Sequence, residues 1–407
     1  MLIKFIRQKL LPQFVLLFIG WTCFSAATAA EPSPSNLNAN NSAPTFLNIG
    51  SDDATRSKPH WILSVEAIAL KRSNSSANQP LVSTLPGTDT FGQTAYKPTT
   101  EVFNSNQFQQ GSAIGPKFTL EYSGNSDYGF ELSYFSVQNL NASNTIGPSN
   151  PGNWYVMKAP GSFWQTQDFA YQGMTWSSST SLHSAEANGK FKASDSLSFL
   201  AGVRWLQLKD SLVGSVTPGD QNVPSWKAGG CAPAGLTPDQ TKEFIARTTL
   251  SQTNQACASG DAISGYPPFW TTNTSNNLFG LQLGAQGKLF EIGRLSFGGS
   301  LKVGAFNNQA TQNDAVSITK VMYSTSSTVN RMAYAGEGVI QLKYLITDDL
   351  AIKMGYQMLW LNQVALAPGQ IPYVYSGSNP TSVNARGVNT SSSILFQGGS
   401  LGLEYLF

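Results

Sequence analysis

From residue 60 to the last residue, Phe407, apolar and polar side chains alternate at every second position through ten stretches. Each is about as long as a tilted strand that crosses a bilayer. The stretches are 60–72, 112–123, 127–140, 181–192, 197–212, 276–289, 295–306, 331–344, 350–361 and 391–407. Their connections also alternate. Segments 123–127, 193–196, 291–294 and 345–349 are tight and polar, whereas 73–111, 141–180, 213–275, 307–330 and 362–390 are long and rich in Gly, Asn, Ser, Thr and Pro. A period of two sends successive side chains to opposite faces of a strand, and short turns alternating with long loops put every tight turn at one end. The pattern predicts an all-β chain: a transmembrane antiparallel up-and-down β-barrel, short turns periplasmic and long loops outside. Both ends of the barrel then lie on the short-turn side, so the strand number is even. Ten strands satisfy this, a further pair within the long loops would make twelve, and some loop residues are expected to extend strands beyond the bilayer.

Parity alone does not choose between a barrel in lipid and a sandwich in water. Leu281, Leu283, Ala285 and Leu289 oppose Gln282, Gln286 and Lys288 in either case. Composition favours the membrane. Only 12% of the residues are charged, against about 25% in soluble domains, so few charges are available to solvate an outer surface. The hydrophobic fraction of 41% is too high for disorder, and a mean hydropathy of −0.15 is too polar for a helical membrane bundle. Aromatic residues gather near strand ends. Trp61, Tyr122, Tyr128, Phe191, Phe290, Phe297 and Tyr344 lie beside the tight turns, and Tyr134, Trp205, Phe279 and Trp360 towards the long loops, as two interfacial girdles require. The closing alternation Leu401, Leu403, Tyr405, Phe407 looks like the terminal-strand signal read by the outer-membrane barrel assembly machinery, with Tyr405 and Phe407 as its aromatic positions.

The first residues read as an export signal. Lys4, Arg7 and Lys9 precede an apolar stretch, 10–24, and Ala27-Thr28-Ala29 supplies an A-x-A cleavage site. The apolar stretch is short for a helical span and carries Pro12. Residues 1–29 are therefore expected to be a signal peptide, 30–58 a flexible periplasmic segment, and 59–407 the barrel. Cys23 lacks the small-residue pattern of a lipidation site. Removing the signal changes 25 Lys+Arg against 23 Asp+Glu to 22 against 23, a balance that gives no reason to expect nucleic acid as a partner. Export leaves Cys231 and Cys257 where disulfides persist, and a bridge between them is expected within the long loop 213–275. Such a bridge would contribute roughly 3–4 kcal/mol by chain entropy. Inside it, Thr237-Pro238 reads as the capped start of a short helix over 239–247.

Several stretches carry a resemblance to a known family. "WILSVEAIAL" (61–70), "LHSAEANGKF" (182–191), "LSFLAGVRWLQLKDSL" (197–212), "NNLFGLQLGAQGKL" (276–289), "LKVGAFNNQA" (301–310) and the closing "GGSLGLEYLF" together resemble family seven of the β-barrel porins of Gram-negative-type outer membranes. The resemblance implies a barrel in the bacterial cell outer membrane, in contact with its lipids. It implies no mechanism.

Polar residues on the expected inward face are Glu66, Lys117, Glu121, Glu131, Glu186, Asn188, Lys190, Arg204, Gln282, Lys302, Glu337, Lys343, Lys353 and Glu404. They are mixed in sign. Buried charges persist only when paired, so in a narrow barrel they are expected to form a salt-bridge ladder filling the lumen. The functional counterpart is a polar path for ions or small solutes. Eight strands leave an interior just filled by side chains while aqueous porins have about sixteen, so ten permit at most a narrow, low-conductance pore. The long loops allow a third reading, a surface adhesin or receptor. Hydrolysis needs a base beside its nucleophile, and only His60 and His183 exist. Parity puts His183 with Ala185, Ala187 and Phe191 on the lipid side, so an outer-membrane lipid hydrolase or protease is the least supported reading and no enzyme is expected. The cysteines lack metal-ligand spacing, and neither metal nor cofactor is expected.

Overall fold

The computed structural model describes residues 60–85, 100–124, 126–147, 154–157, 170–171, 174–216, 269–317, 322–371, 374–376, 383–385 and 387–407. The expected signal peptide, the 30–58 segment, the Cys231–Cys257 bridge and the 239–247 helix lie outside these residues. Ten strands close into one barrel: β1 (His60–Arg72), β4 (Ser112–Ser123), β5 (Tyr128–Ile146), β8 (Met174–Lys192), β9 (Leu197–Val216), β10 (Phe269–Ile292), β11 (Leu295–Ser317), β12 (Met322–Leu345), β13 (Leu350–Val364) and β16 (Ser392–Leu406). Every neighbouring pair is antiparallel, and β16 closes the ring on β1 in the register Ile62↔Leu406 to Arg72↔Phe396. The seam continues past the strand end. Trp61 N–H donates to the Phe407 carbonyl and Phe407 N–H to that of Trp61, each at 2.9 Å.

The tight turns fall where the alternation predicted them, all at one end. The connection from Ile292 to Leu295 is a two-residue turn, and Gly293 supplies the left-handed φ of +59° that such a hairpin needs. In the exposed 193–196 turn, Lys192 reaches Asp195 at 2.6 Å and its hydrogen bond holds that carboxyl below the usual range.

At the other end the strands run past the stretches of clear alternation, as expected of loop residues that extend strands beyond the bilayer. β8 begins at Met174 rather than 181, β10 at Phe269 rather than 276 and β12 at Met322 rather than 331, while β11 continues to Ser317. The reason is a change of medium along the outer face. On β10 and β11 the outward side chains pass from Leu283, Leu281 and Phe279, or Leu301 and Val303, to Asn277, Ser275 and Asn273, or Asn307, Gln309 and Thr311. The inward neighbours there, Thr272, Thr274 and Gln312, are polar as well. Polar on both faces reads as loop, yet the backbone ladder continues unbroken through Phe269↔Ser317.

Among the described residues the long loops add no barrel strands and the barrel closes with ten, which corrects the twelve-strand alternative. They contain instead a four-stranded sheet and a short hairpin, in segments expected to be irregular. The sheet has the order β3-β2-β6-β7, from β2 (Pro80–Leu85), β3 (Thr100–Asn104), β6 (Trp154–Met157) and β7 (Ala170–Tyr171). The hairpin pairs β14 (Val374–Ser376) with β15 (Val383–Ala385).

Around the lower barrel the outward face is apolar: Leu281 is 69% exposed and Leu283 63%, with Val65, Phe118, Leu132, Val203, Leu301, Val303, Ile340, Met354 and Leu403 also exposed. Rings meet at the tight-turn end. Trp61 packs on Tyr122 (5.0 Å) and Phe130 (5.3 Å), Tyr128 on Phe191 (5.5 Å), Phe290 on Phe297 (5.1 Å) and Tyr405 on Phe407 (6.1 Å). Such an exposed apolar zone far exceeds the patches tolerated on soluble monomers.

Candidate functional site: the filled lumen

Because parity sends alternate residues inward, the period that builds the apolar zone also builds the lumen. Nearest the tight turns, six carboxylates (Glu66, Glu121, Glu131, Glu186, Glu337, Glu404) share the interior with six cations (Lys117, Lys190, Arg204, Lys302, Lys343, Lys353). The formal charges cancel. Arg204, 2% exposed, contacts Glu337 at 2.6 Å and Glu186 at 3.8 Å, and its Nε donates to Ser184 at 3.0 Å. Lys302 bridges Glu186 (2.6 Å) and Glu131 (2.8 Å) across the lumen. Lys353 meets Glu66 at 3.1 Å, Lys190 meets Glu121 at 2.5 Å, and Lys343 meets Glu404 at 2.7 Å.

Neutral groups complete the network. Gln282 Nε2 donates to Glu186 and to Asn188 Oδ1, each at 2.7 Å, and Asn188 Nδ2 donates to Glu131 at 3.1 Å. Lys117 donates to Gln357 at 3.2 Å, and Gln357 in turn to Glu337 at 3.3 Å. Buried ions tolerate the loss of water only when paired and hydrogen-bonded; every ion of this tier except Lys117 has an ion-pair partner, and Lys117 donates to Gln357.

Above the charged tier, every barrel strand turns an apolar side chain inward. Ile68 and Leu70, Ala113, Phe135 and Val137, Leu182, Leu206 and Leu208, Leu278, Phe306, Ala333 and Ala335, Leu359 and Leu361, and Ile394 and Phe396 form one buried cluster. The lumen therefore carries an apolar septum one to two rungs thick. Higher still, Arg72 donates to Thr180 and Asp210, each at 2.5 Å.

The chain after β13 then turns back into the barrel mouth. Gln363 adopts φ +60° after a register break, and the following residues, including the single helical turn α1 (Ala367–Gln370), are buried through Ile371. The barrel wall holds this plug by its backbone. Asn276 Oδ1 accepts Ala365 N–H and its Nδ2 donates to the Ala365 carbonyl, both at 2.7 Å, while Asp210 Oδ2 accepts Ala367 N–H at 2.9 Å.

Within the lumen the fourteen inward polar residues singled out from parity fall into three contact groups: Arg204, Glu186, Glu337, Lys302, Glu131, Asn188 and Gln282, with Lys117 joined through Gln357; Lys353, Glu66, Glu404 and Lys343; and the separate pair Lys190–Glu121. Sequence reasoning missed Gln357, Ser64, Ser184 and Ser400, which bond their carboxylates or cations. The inward parity of each was readable, but nothing in the sequence marked them out from other inward positions as partners of the charged groups. It also missed the Arg72–Asp210 pair and the plug, because residues 362–390 read as loop. His183 lies on the outer side of β8, between inward Leu182 and Ser184 and away from the carboxylates. Among the described residues no group of acidic, histidine or cysteine side chains could hold a metal ion together.

No family model matches the chain, and no curated protein is similar to it in sequence. Solved structures are similar in fold. The outer-membrane protease OmpT of Escherichia coli is 7% identical with a TM-score of 0.42, over 87% of this chain and 98% of that one. Neisserial surface protein A is 10% identical with a TM-score of 0.25, over 85% and 96%. The Ralstonia pickettii toluene transporter TbuX is 9% identical with a TM-score of 0.29, over 86% and 89%. A protease, a surface protein and a transporter share little but architecture, and no residue role passes from them to this chain. The chain is a closed ten-stranded antiparallel β-barrel whose structural neighbours are bacterial outer-membrane β-barrel proteins.

Proposed function

We propose that this chain is an integral protein of the bacterial outer membrane, exported by its N-terminal segment, and that its barrel is closed to solutes. It acts as a rigid scaffold, without enzymatic activity, that presents the loop-borne sheet at the cell surface. The observation that carries this reading is the septum: all ten strands place apolar side chains in one buried layer across the lumen. The neutralised charged tier below it and the backbone-anchored plug above it support the same conclusion. A continuous polar path, which conduction requires, is interrupted at that layer. The outward apolar zone and its aromatic border at the tight-turn end support lipid as the surrounding medium, with that end periplasmic. The terminal strand, ending in Tyr405 and Phe407, is its signal to the barrel assembly machinery. The resemblance to family seven of the β-barrel porins fits this location and adds no solute.

Expression in a Gram-negative host tests the reading. The protein is expected to stay with the outer-membrane fraction after a high-salt wash, to dissolve only with detergent, and to migrate differently on gels before and after boiling. Recovery in the soluble fraction without detergent would overturn it.

A further inference from the structure

Near the top of the barrel wall one acidic side chain is treated unlike every other inward acid. Asp210 has Arg72, and the lower carboxylates have lysine or arginine partners. Asp314, on β11, is 3% exposed, and among the described residues no cation reaches it. Its Oδ2 accepts a hydrogen bond from Gln312 Nε2, while its Oδ1 has no partner. Two further oxygens lie beside it: Thr272 Oγ1, whose hydroxyl is directed at the Asp314 carboxylate, and Gln312 Oε1, which is buried without a hydrogen-bond partner. Thr272 Oγ1 belongs to the residue paired directly with Asp314 across the β10–β11 ladder, and Gln312 Oε1 lies one inward position below; both residues are 0% exposed.

A buried carboxylate with no cation partner, beside an unsatisfied amide oxygen and a hydroxyl, is a poor arrangement for a structural core and a good one for a hard cation. The donors are all oxygens, one charged and two neutral, with no nitrogen or sulfur to favour a transition metal. A single half-turn of the Gln312 amide about its last bond brings Oε1 towards the Asp314 carboxylate, so the three oxygens can face one ion. The outward residues at this height, Asn273 and Asn313, are polar, which places the group above the apolar zone.

We infer that Asp314, Gln312 and Thr272 form a calcium site at the outer end of the barrel, in which the ion supplies the positive charge that Asp314 lacks. Calcium suits it better than magnesium because three oxygens on two twisted strands do not impose octahedral geometry, and calcium accepts irregular oxygen sets. A site with one carboxylate belongs in the weak range of extracellular calcium modules, with a dissociation constant of about 10⁻⁴ to 10⁻³ M. Protons compete for the same carboxylate, so binding weakens as the medium is acidified. The inference is independent of whether the lumen conducts.

The test uses the full mature chain, refolded in detergent, freed of metal with a chelator and titrated with calcium chloride by calorimetry and thermal unfolding. The wild type is expected to bind in that range and to unfold at a higher temperature in calcium. Asp314→Asn, which keeps the shape and removes the charge, is expected to lose both responses. Gln312→Glu adds a second carboxylate and is expected to tighten binding at least about tenfold, the pattern by which ligand charge tunes calcium sites. A folded wild type with no calcium response, an Asp314→Asn variant that binds equally well, or a Gln312→Glu variant whose calcium affinity is not raised would each overturn the inference. The wild-type titration decides even if a variant fails to fold.

Discussion

Removing Arg204 tests the lumen as a filled, low-dielectric interior. Its guanidinium is 2% exposed and serves Glu337 at 2.6 Å, Glu186 at 3.8 Å and Ser184 at 3.0 Å. In Arg204→Met, Glu186 keeps Lys302 and the amide of Gln282, but Glu337 loses its close cation and keeps the amide of Gln357. The lower tier, balanced at six against six, acquires a net charge of −1. Breaking one partner out of a buried pair costs about 3–5 kcal/mol, because the other charge stays buried and uncompensated. Replacing both partners restores balance, so Arg204→Met with Glu337→Leu is expected to cost at least about 2 kcal/mol less than the single change, since apolar replacement of a whole buried pair is often neutral. Urea titration of the refolded protein in detergent micelles, followed by tryptophan fluorescence, measures all four corners of the cycle. Additive effects, or a single change costing under about 1 kcal/mol as exposed pairs do, would refute a dry, closed interior.

Two further outcomes follow from named contacts. Asn276→Ala removes both bonds to Ala365 and exposes unsatisfied plug backbone; a cost of about 1–3 kcal/mol is expected, with faster amide exchange confined to 364–371 if the septum below seals independently. Leu283→Arg places a charge in the middle of the outward apolar zone, facing Val303 and Ala201 across the ladders. In lipid it is expected to cost about 2–4 kcal/mol in urea titrations on vesicles, whereas a water-facing barrel would register under about 0.5 kcal/mol.

The lower barrel was legible because its two faces meet different media. Lys353 between Ile352 and Met354, or Gln282 between Leu281 and Leu283, declares its side by contrast. Where both faces are polar, as at Asn273 and Thr274, the same β-ladder is silent in sequence, and the strand ends were placed several residues too low. The two levels of the lumen differed in another way. Glu186 and Arg204 announced themselves by charge, and their pairing across β8 and β9 follows from register. The septum was hidden, because Leu206 and Leu208 lie inward at the parity of Arg204, so their level departs from the rule that inward means polar. The plug was hidden for a third reason. Its residues are mostly apolar with no period, and the residues that hold it in place, Asn276, Asp210 and Asn389, are distant in sequence.

Planar-bilayer recording of the purified, refolded barrel tests the central claim most directly. With the charged tier, septum and plug in place, the membrane is expected to hold its baseline current at both polarities after demonstrated insertion, and the Asn276→Ala variant to remain equally silent. Reproducible single-channel steps from the wild type would contradict the closed lumen.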